Sequence, residues 1–369
     1  MTVRRLEDGK RRKSGPGRGK ILSPKRLTRG GVQMHLRRAW GCGEYAARHM
    51  DDTARGLLRY KELVDDWDAL VDTSRQPLPL VVWENPLRRA HVERLAVAAG
   101  LDARATVGDL LASRGYSVEP LAWRAGAWRV SGLDKPGRTL EYYLGLMHVQ
   151  EEVSLAPSEV LAAEAGEVVL DFCAAPGGKT ACIAVGMNNC GTIVANDLRP
   201  QRLRPLRSNC ERLGIRNVVI TPINGIRFPL DAGPFDRMLL DVPCSCEGNL
   251  RDSRPAIPRR RRSEVSGRGG LQATLLGRAW KLLRPGGVLV YSTCTFAPEE
   301  NELVLDYALG EDAVIEPFAI AGLRHDPGVT RWAGKELRAD CANLARYWPH
   351  HNNTGGFTIA RVRKATTDG

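Results

Sequence analysis

No apolar stretch in this chain approaches the ~20 residues that a membrane helix needs. The amino terminus lacks the apolar core of a secretory signal. It is basic, but Glu7, Asp8 and interspersed glycines and prolines fit a transit peptide poorly. Regular cysteine spacing is also missing: nine cysteines are scattered over 369 residues, an odd number, which argues against a disulfide framework. Cys244 and Cys246 form a C-x-C, yet no second such pair or nearby histidine completes a zinc set, so no metal is expected. A reducing, cytoplasmic setting follows as the expectation, with most cysteines serving as small buried apolar groups.

What the chain has is positive charge. The formal net charge is +12, with 54 Lys and Arg against 42 Asp and Glu. Such a balance favours polyanionic partners, nucleic acid first, and no basic amphipathic helix points to a membrane surface. Residues 1–30 hold eleven Lys and Arg against two acids, so 1–50 is expected to be a basic flexible arm suited to non-specific phosphate attraction, or simply a solvated tail. With 43% hydrophobic residues, the rest is long enough for two globular domains, and a monomer is the default.

A helical pattern from Thr53 to about Leu70 opens a small α+β unit. Leu78–Trp83 reads as a strand, Asn85-Pro86 as the start of a helix to about Ala99, and Tyr116–Glu119 and Trp128–Val130 as further strands. Residues 139–162 bridge to a second unit, which places the divisions at 51–165 and 166–365. From about Glu167 strands and helices alternate: strands at Val168–Phe172, Thr192–Asn196, Val218–Thr221, Arg237–Asp241 and Val288–Tyr291, helices near 178–187, 200–213, 270–283 and 299–309. Alternation predicts an α/β, Rossmann-like domain with a parallel sheet covered on both faces. Arg259, Arg260, Arg261 and Arg262, with the glycine-containing sequel Ser266–Gly270, read as a long basic loop.

Ligands of such sheets bind at the carboxyl ends of the strands. Asp171 to Thr180 sits at one of these ends and contains Gly-Lys-Thr, but Cys173 stands where a P-loop requires glycine, and G-x-G-x-x-G is absent. Small residues from Ala174 to Gly178 would let the backbone approach a ligand. After the next strand stands Asp197, at the spacing of a ribose-binding acid, or alternatively a cap for the helix after Pro200. Loop and acid together suit a nucleoside cofactor without a pyrophosphate, and S-adenosylmethionine fits.

Two cysteines lie fifty positions apart, each just past an apolar run: Asp241-Val242-Pro243-Cys244 and Ser292-Thr293-Cys294. A thiolate adding to carbon 6 of a cytosine would turn carbon 5 into a nucleophile for a sulfonium methyl, which is covalent catalysis. The thiol needs a cationic or dipolar setting, for which Lys179 is a source, and Asp241 could bond the base edge or relay a proton. A lone cysteine at a strand end is usually core, and Asp241 could be a turn residue; the ordered co-occurrence argues otherwise.

Taken together, these motifs resemble the Fmu/Sun-type RNA cytosine-5 methyltransferases. The resemblance runs from about Leu58 to Arg363 and is strongest over 167–302, and includes Pro298-Glu299-Glu300-Asn301-Glu302, Gln272, Trp348-Pro349-His350 and Gly355-Gly356-Phe357. It implies that Cys294 attacks, Cys244 promotes release, Asp241 contacts the cytosine and Lys179 reaches into the site. It further implies that Cys173, Ala174, Ala175, Pro176, Gly177, Gly178, Lys179, Asp197, Arg202, Asn224 and Asp241 line the cofactor pocket, that the 51–165 unit binds RNA, and that Arg259–Arg262 grip phosphates. Two departures stand out: Asn224 replaces the more usual aspartate, and Cys246 stands where glycine is common. The implied reaction forms 5-methylcytosine in an unpaired or flipped-out base, with ribosomal RNA slightly favoured over transfer RNA. A non-catalytic RNA-binding factor that kept the fold, and a DNA methyltransferase attacking from Cys244, are the alternatives.

Overall fold

The computed structural model describes residues 51–251 and 262–366. The basic arm at 1–50 and Arg259–Arg261 of the arginine run lie outside these residues.

The amino-terminal part is built on a four-stranded antiparallel sheet in the order β2–β3–β1–β4, with β1 at Leu80–Glu84, β2 at Ser117–Pro120, β3 at Ala127–Ser131 and β4 at Met147–Val149. Helices α1 (Arg89–Ala98) and α2 (Val107–Ser113) pack on it through Val92, Ala96, Val107, Leu110 and Leu111. Thr106 and Asp109 form a reciprocal capping box at the start of α2. Asn85 caps the turn that leads into α1 by accepting from the Leu87 N–H. The single helix expected over 53–70 is instead three pieces, Asp52–Leu57, Leu58–Leu63 and Trp67–Ser74. Val64 is extended, and Asp66 begins the last piece by accepting from the Ala69 N–H, so a local capping bond overrides the apolar periodicity. Within the stretch read as a bridge, β4 pairs with β1 and completes the small sheet.

The second part carries a nine-stranded sheet. Its strands are β5 (Val168–Asp171), β6 (Thr192–Asn196), β7 (Val218–Thr221), β8 (Phe235–Asp241), β9 (Leu283–Thr293), β10 (Ala313–Glu316), β11 (Asp326–Pro327), β14 (Ala345–Tyr347) and β15 (Phe357–Lys364); β12 (Arg331–Trp332) and β13 (Lys335–Glu336) form a separate hairpin. The order β7–β6–β5–β8–β9 is parallel, and β15 and β14 continue it antiparallel. The five strands expected from sequence are the parallel core.

Parallel strands are buried on both faces. Leu239 and Val290 pack into one core with helices α3 (Ala156–Leu161), α4 (Gly178–Gly186) and α5 (Pro200–Leu213). Their chain neighbours Met238, Leu240, Leu289 and Tyr291 enter the opposite core, under α6 (Arg262–Leu282) and α7 (Glu302–Ala308). The loop expected at Ser266–Gly270 is helical and belongs to α6. Gly269 explains this in part: a Cβ there would stand 2.8 Å from the Glu299 carbonyl oxygen, so glycine lets α6 lie directly against the following segment. Among the described residues no helix is long and apolar enough to cross a membrane.

Candidate active site

The chain runs from β5 outward to β7 on one side, then resumes at β8 on the other, so β5 and β8 flank the topological switch point. Asp171 ends β5 and Asp241 ends β8; Asp197 and Cys294 follow the ends of β6 and β9.

The loop after β5 is held from three sides. Ala174 N–H donates to the Asn196 carbonyl at 2.8 Å. Arg202 Nη2 donates to the Ala175 carbonyl at 2.8 Å, and Asn209 Nδ2 to that of Pro176 at 3.3 Å. Gly177 has φ 101°, and a Cβ there would come within 2.8 Å of Leu206 in α5. A Cβ on Gly178 would stand 3.0 Å from Gln150 Oε1. At these two positions smallness is required by protein packing. Thr180 Oγ1 donates to Asp171 Oδ2 at 2.6 Å, while the buried Asp171 Oδ1 has no partner among the described residues. Burial, reinforced by the nearby Asp241 charge, pushes the Asp171 carboxyl up to about 7 despite the Thr180 bond.

Asp197 is not a helix cap: Arg199 occupies the cap position of α5. Its Oδ1 accepts from the Arg199 N–H at 2.9 Å and its Oδ2 lies 3.2 Å from Arg202. Asn224 Oδ1 accepts from the Ile226 N–H at 3.1 Å, so the amide oxygen is partly engaged before any adenine arrives. Leu198 and Ile226, close in sequence to these two polar residues, leave apolar side chains exposed.

A cleft of about 310 Å³ opens between the two parts of the molecule, with Leu78, Glu151 and Ser154 on the amino-terminal side. Of the expected residues, Cys173, Ala175, Lys179, Arg202, Asp241, Cys244 and Cys294 line it. Asp197, Asn224, Ala174, Pro176, Gly177 and Gly178 do not; the loop residues among them act as backbone scaffold. Arg262 begins α6, and the rest of the arginine run lies outside the described residues. Phe357 and Asn249 join the lining from β15 and the loop after β8. Gly356 precedes Phe357 and lets that turn meet Gly248: its N–H donates to the Gly248 carbonyl at 2.9 Å.

Lys179 Nζ donates to Asp241 Oδ2 at 2.9 Å and Ser292 Oγ to Asp241 Oδ1 at 2.8 Å. Burial disfavours the Lys179 ammonium, but Asp241 more than offsets it and holds the pKa above the ordinary value. The sulfurs of Cys244 and Cys294 stand 3.4 Å apart, and that of Cys246 lies 4.0 Å from Cys244. Cys294 is pulled two ways: the bond from Cys244 favours its thiolate, while contact with Cys246, burial and the Asp241 charge outweigh it and push the thiol up. Bonds to Cys246 and Cys294, with burial, raise Cys244 as well.

A buried polar network braces the loop that carries Cys244. Gln272 Nε2 donates to the Pro243 carbonyl and to Glu300 Oε2, both at 2.9 Å, and Ser245 N–H donates to the same Glu300 oxygen at 2.9 Å. Arg268 Nη1 donates to the Cys244 carbonyl at 3.1 Å. The Ser245 and Thr295 hydroxyls share a bond of 2.7 Å, Thr295 donates to Glu247, and Tyr60 donates to the same Glu247 oxygen. The two cysteine loops are thus tied to each other, to α6 and to the amino-terminal segment.

Residues 158–363 match the family model described as "16S rRNA methyltransferase RsmB/F". The chain is 38% identical over 252 residues to the tRNA (cytosine(49)-C(5))-methyltransferase of Pyrococcus abyssi, which covers 68% of this chain and 81% of that protein. It is 37% identical over 272 residues to the 28S rRNA (cytosine-C(5))-methyltransferase of Mus musculus, covering 71% of this chain but 34% of the longer relative. The crystal structure of a methyltransferase homolog from Pyrococcus horikoshii is similar with a TM-score of 0.69 at 30% identity, over 93% of this chain and all of that one.

Proposed function

This chain belongs to the RsmB/F methyltransferase family, and from that membership we propose that it forms 5-methylcytosine in RNA through a covalent bond between Cys294 and the target base. The observation that carries the proposal is the pair of sulfurs 3.4 Å apart beyond the ends of β8 and β9, in the cleft that the Lys179–Asp241 ion pair also lines.

The residues suit a nucleoside cofactor. Asp197 with Arg202 at 3.2 Å offers a carboxylate for ribose hydroxyls, the exposed Leu198 and Ile226 offer apolar surface for a flat base, and the pinned backbone from Cys173 to Gly178 closes the other side. S-adenosylmethionine held there would supply the electrophilic methyl that carbon 5 of the base takes. The chain's own groups do the rest. Cys294 Sγ adds to carbon 6 of cytosine as a proton settles at nitrogen 3, with Asp241 beside the base edge and the Lys179 ammonium supporting the thiolate. Asn249 Nδ2, 3.5 Å from Cys294 Sγ, faces the same sulfur. A base, the neighbouring Cys244 thiolate or water, takes the carbon 5 proton while the carbon 6–sulfur bond breaks and its electron pair returns to Cys294 as a thiolate, which restores the ring. The 3.4 Å separation of the sulfurs supports this role for Cys244.

The 51–165 unit, which contributes Leu78, Glu151 and Ser154 to the cleft, would hold the RNA, with the 1–50 arm and Arg259–Arg262 gripping phosphates. Ribosomal RNA is the first substrate to test, in line with the family description, and transfer RNA the second, in line with the Pyrococcus abyssi relative. The test is methyl transfer to structured RNA by wild type, Cys294→Ala and Cys244→Ala. Cys294→Ala is expected to be inactive, and Cys244→Ala to accumulate a protein–RNA adduct that migrates slowly on a denaturing gel. Full activity in Cys294→Ala would overturn the assignment of the nucleophile. Bisulfite mapping of total RNA from cells with and without the gene then identifies the cytosine.

A further inference from the structure

The attacking and releasing roles need two thiols, and the structure brings three together. The Sγ atoms of Cys244, Cys246 and Cys294 all lie within 4.8 Å of one another. Their spacings of 3.4 Å and 4.0 Å bracket the edge of a tetrahedral thiolate site: a metal–sulfur bond of about 2.3 Å implies sulfurs about 3.8 Å apart. The C-x-C was set aside in the sequence because nothing near it completed a ligand set; the third ligand arrives from β9, fifty positions on. Cys246 is exposed and sits at φ 60°, a backbone conformation that costs any residue but glycine or asparagine. A side chain kept in a strained position, aimed at the catalytic pair, asks for a reason that methyl transfer does not supply.

We propose that Cys244, Cys246 and Cys294 form a three-thiolate site for a soft cation of the zinc or copper(I) class, and that its occupation reversibly blocks methyl transfer. The inhibitory part rests on the function proposed above; the binding part does not. Each thiol that ligates releases its proton to solvent, so a divalent ion with three thiolates leaves one net negative charge, with the Lys179 ammonium on the wall of the same cleft. The cleft leaves the fourth position open to water, as in three-ligand zinc sites. The cation itself stabilises the thiolates it binds. A second candidate, Asp65 with His350 and His351, is weaker: the Nδ1 atoms of both histidines are buried without partners among the described residues, whereas a ligating histidine normally anchors its other nitrogen.

The test titrates the reduced, chelator-treated full-length chain with cobalt(II), then with zinc(II). Wild type is expected to develop thiolate-to-cobalt charge-transfer absorption and strong visible bands that zinc abolishes. Cys246→Gly relieves the backbone at φ 60° and removes only the third ligand; its zinc affinity is expected to fall at least about tenfold, and the zinc midpoint for inhibiting methyl transfer to shift by the same factor. Absence of the thiolate band in wild type, or equal zinc affinity in Cys246→Gly, overturns the site. Zinc binding with no effect on an active enzyme overturns the inhibitory role alone. Intact cobalt spectra in a chain that never methylates RNA leave the site standing and refute the proposed function instead.

Discussion

Replacing Gln272 by leucine isolates the contribution of the buried network to the release step. Gln272 is fully buried, and its Nε2 bridges the Pro243 carbonyl and Glu300 Oε2. Leucine keeps much of the volume and removes both donors. Pro243 is exposed, so its carbonyl finds water and the loss there costs at most about 1 kcal/mol. Glu300 is fully buried and keeps only the Ser245 N–H among these donors, which costs roughly 1–3 kcal/mol. Against this, the Gln272 Oε1 atom is itself buried without a partner among the described residues, and its removal returns about 1 kcal/mol. The net expectation is a loss of about 1–2 kcal/mol, read from urea unfolding. The functional effect is larger in kind: the loop bearing Cys244 loses its Gln272 tether to α6, keeping only the Arg268 bond to the Cys244 carbonyl among those described above, while Cys294 keeps its surroundings. Adduct formation with RNA should therefore proceed and adduct resolution slow, so a transient covalent species becomes visible in single-turnover gels. Unchanged stability within about 0.5 kcal/mol together with an unchanged adduct lifetime would refute the idea that Gln272 positions the loop.

Gly177→Ala places a Cβ against Leu206 at a backbone angle that L-residues avoid; the left-handed geometry costs about 1–2 kcal/mol and the overpacking about 1–3 kcal/mol, so a denaturant midpoint unchanged from wild type would contradict the packing role assigned to this glycine. Asp171, with its carboxyl at about 7 in the folded chain against about 3.9 unfolded, binds more protons when folded between those values. Its contribution is complete below about pH 4 and is lost as pH rises through 7, up to ~4 kcal/mol in all. Asp171→Asn should flatten that part of the stability profile, and an identical slope in the variant would show that another group carries it.

The parallel core was legible because its strands are buried on both faces and so read as unbroken apolar runs: Met238-Leu239-Leu240 and Val288–Tyr291 stand out in the sequence and are central strands in the fold. The antiparallel extension was not. Strands β11 and β14 are two and three residues long, too short for any period to register. Helix α6 was misread at its start because Gly267, Gly269 and Gly270 signal a loop locally, and only the close approach to Glu299 explains the helix. At the site, residues within motifs were found and residues that arrive through pairing were not. Ser292 faces Asp241 because β9 lies beside β8 in register, with Asp241 opposite Ser292. Glu151 and Leu78 reach the cleft from the amino-terminal part, and nothing in their local sequence marks them.

That same register accounts for the thiol pair. Asp241 and Ser292 are partners across parallel strands, and each cysteine follows its partner residue by two or three positions, Cys294 after Ser292 and Cys244 after Asp241. Two loops leaving adjacent strand ends by nearly equal lengths must meet, and the Val242 N–H to Ser292 carbonyl and Gly248 N–H to Cys294 carbonyl bonds zip them together. The carboxylate belongs to the register, and the sulfurs inherit their spacing from it. The bond from Cys244 favours the Cys294 thiolate, but the contact with Cys246, burial and the Asp241 charge together push that thiol up, and Asp241 itself is paired with Lys179. In the proposed reaction, a base edge that engages Asp241 would weaken that ion pair and free the ammonium for the sulfur. On the function proposed above, thiolate formation would then be tied to the arrival of the base.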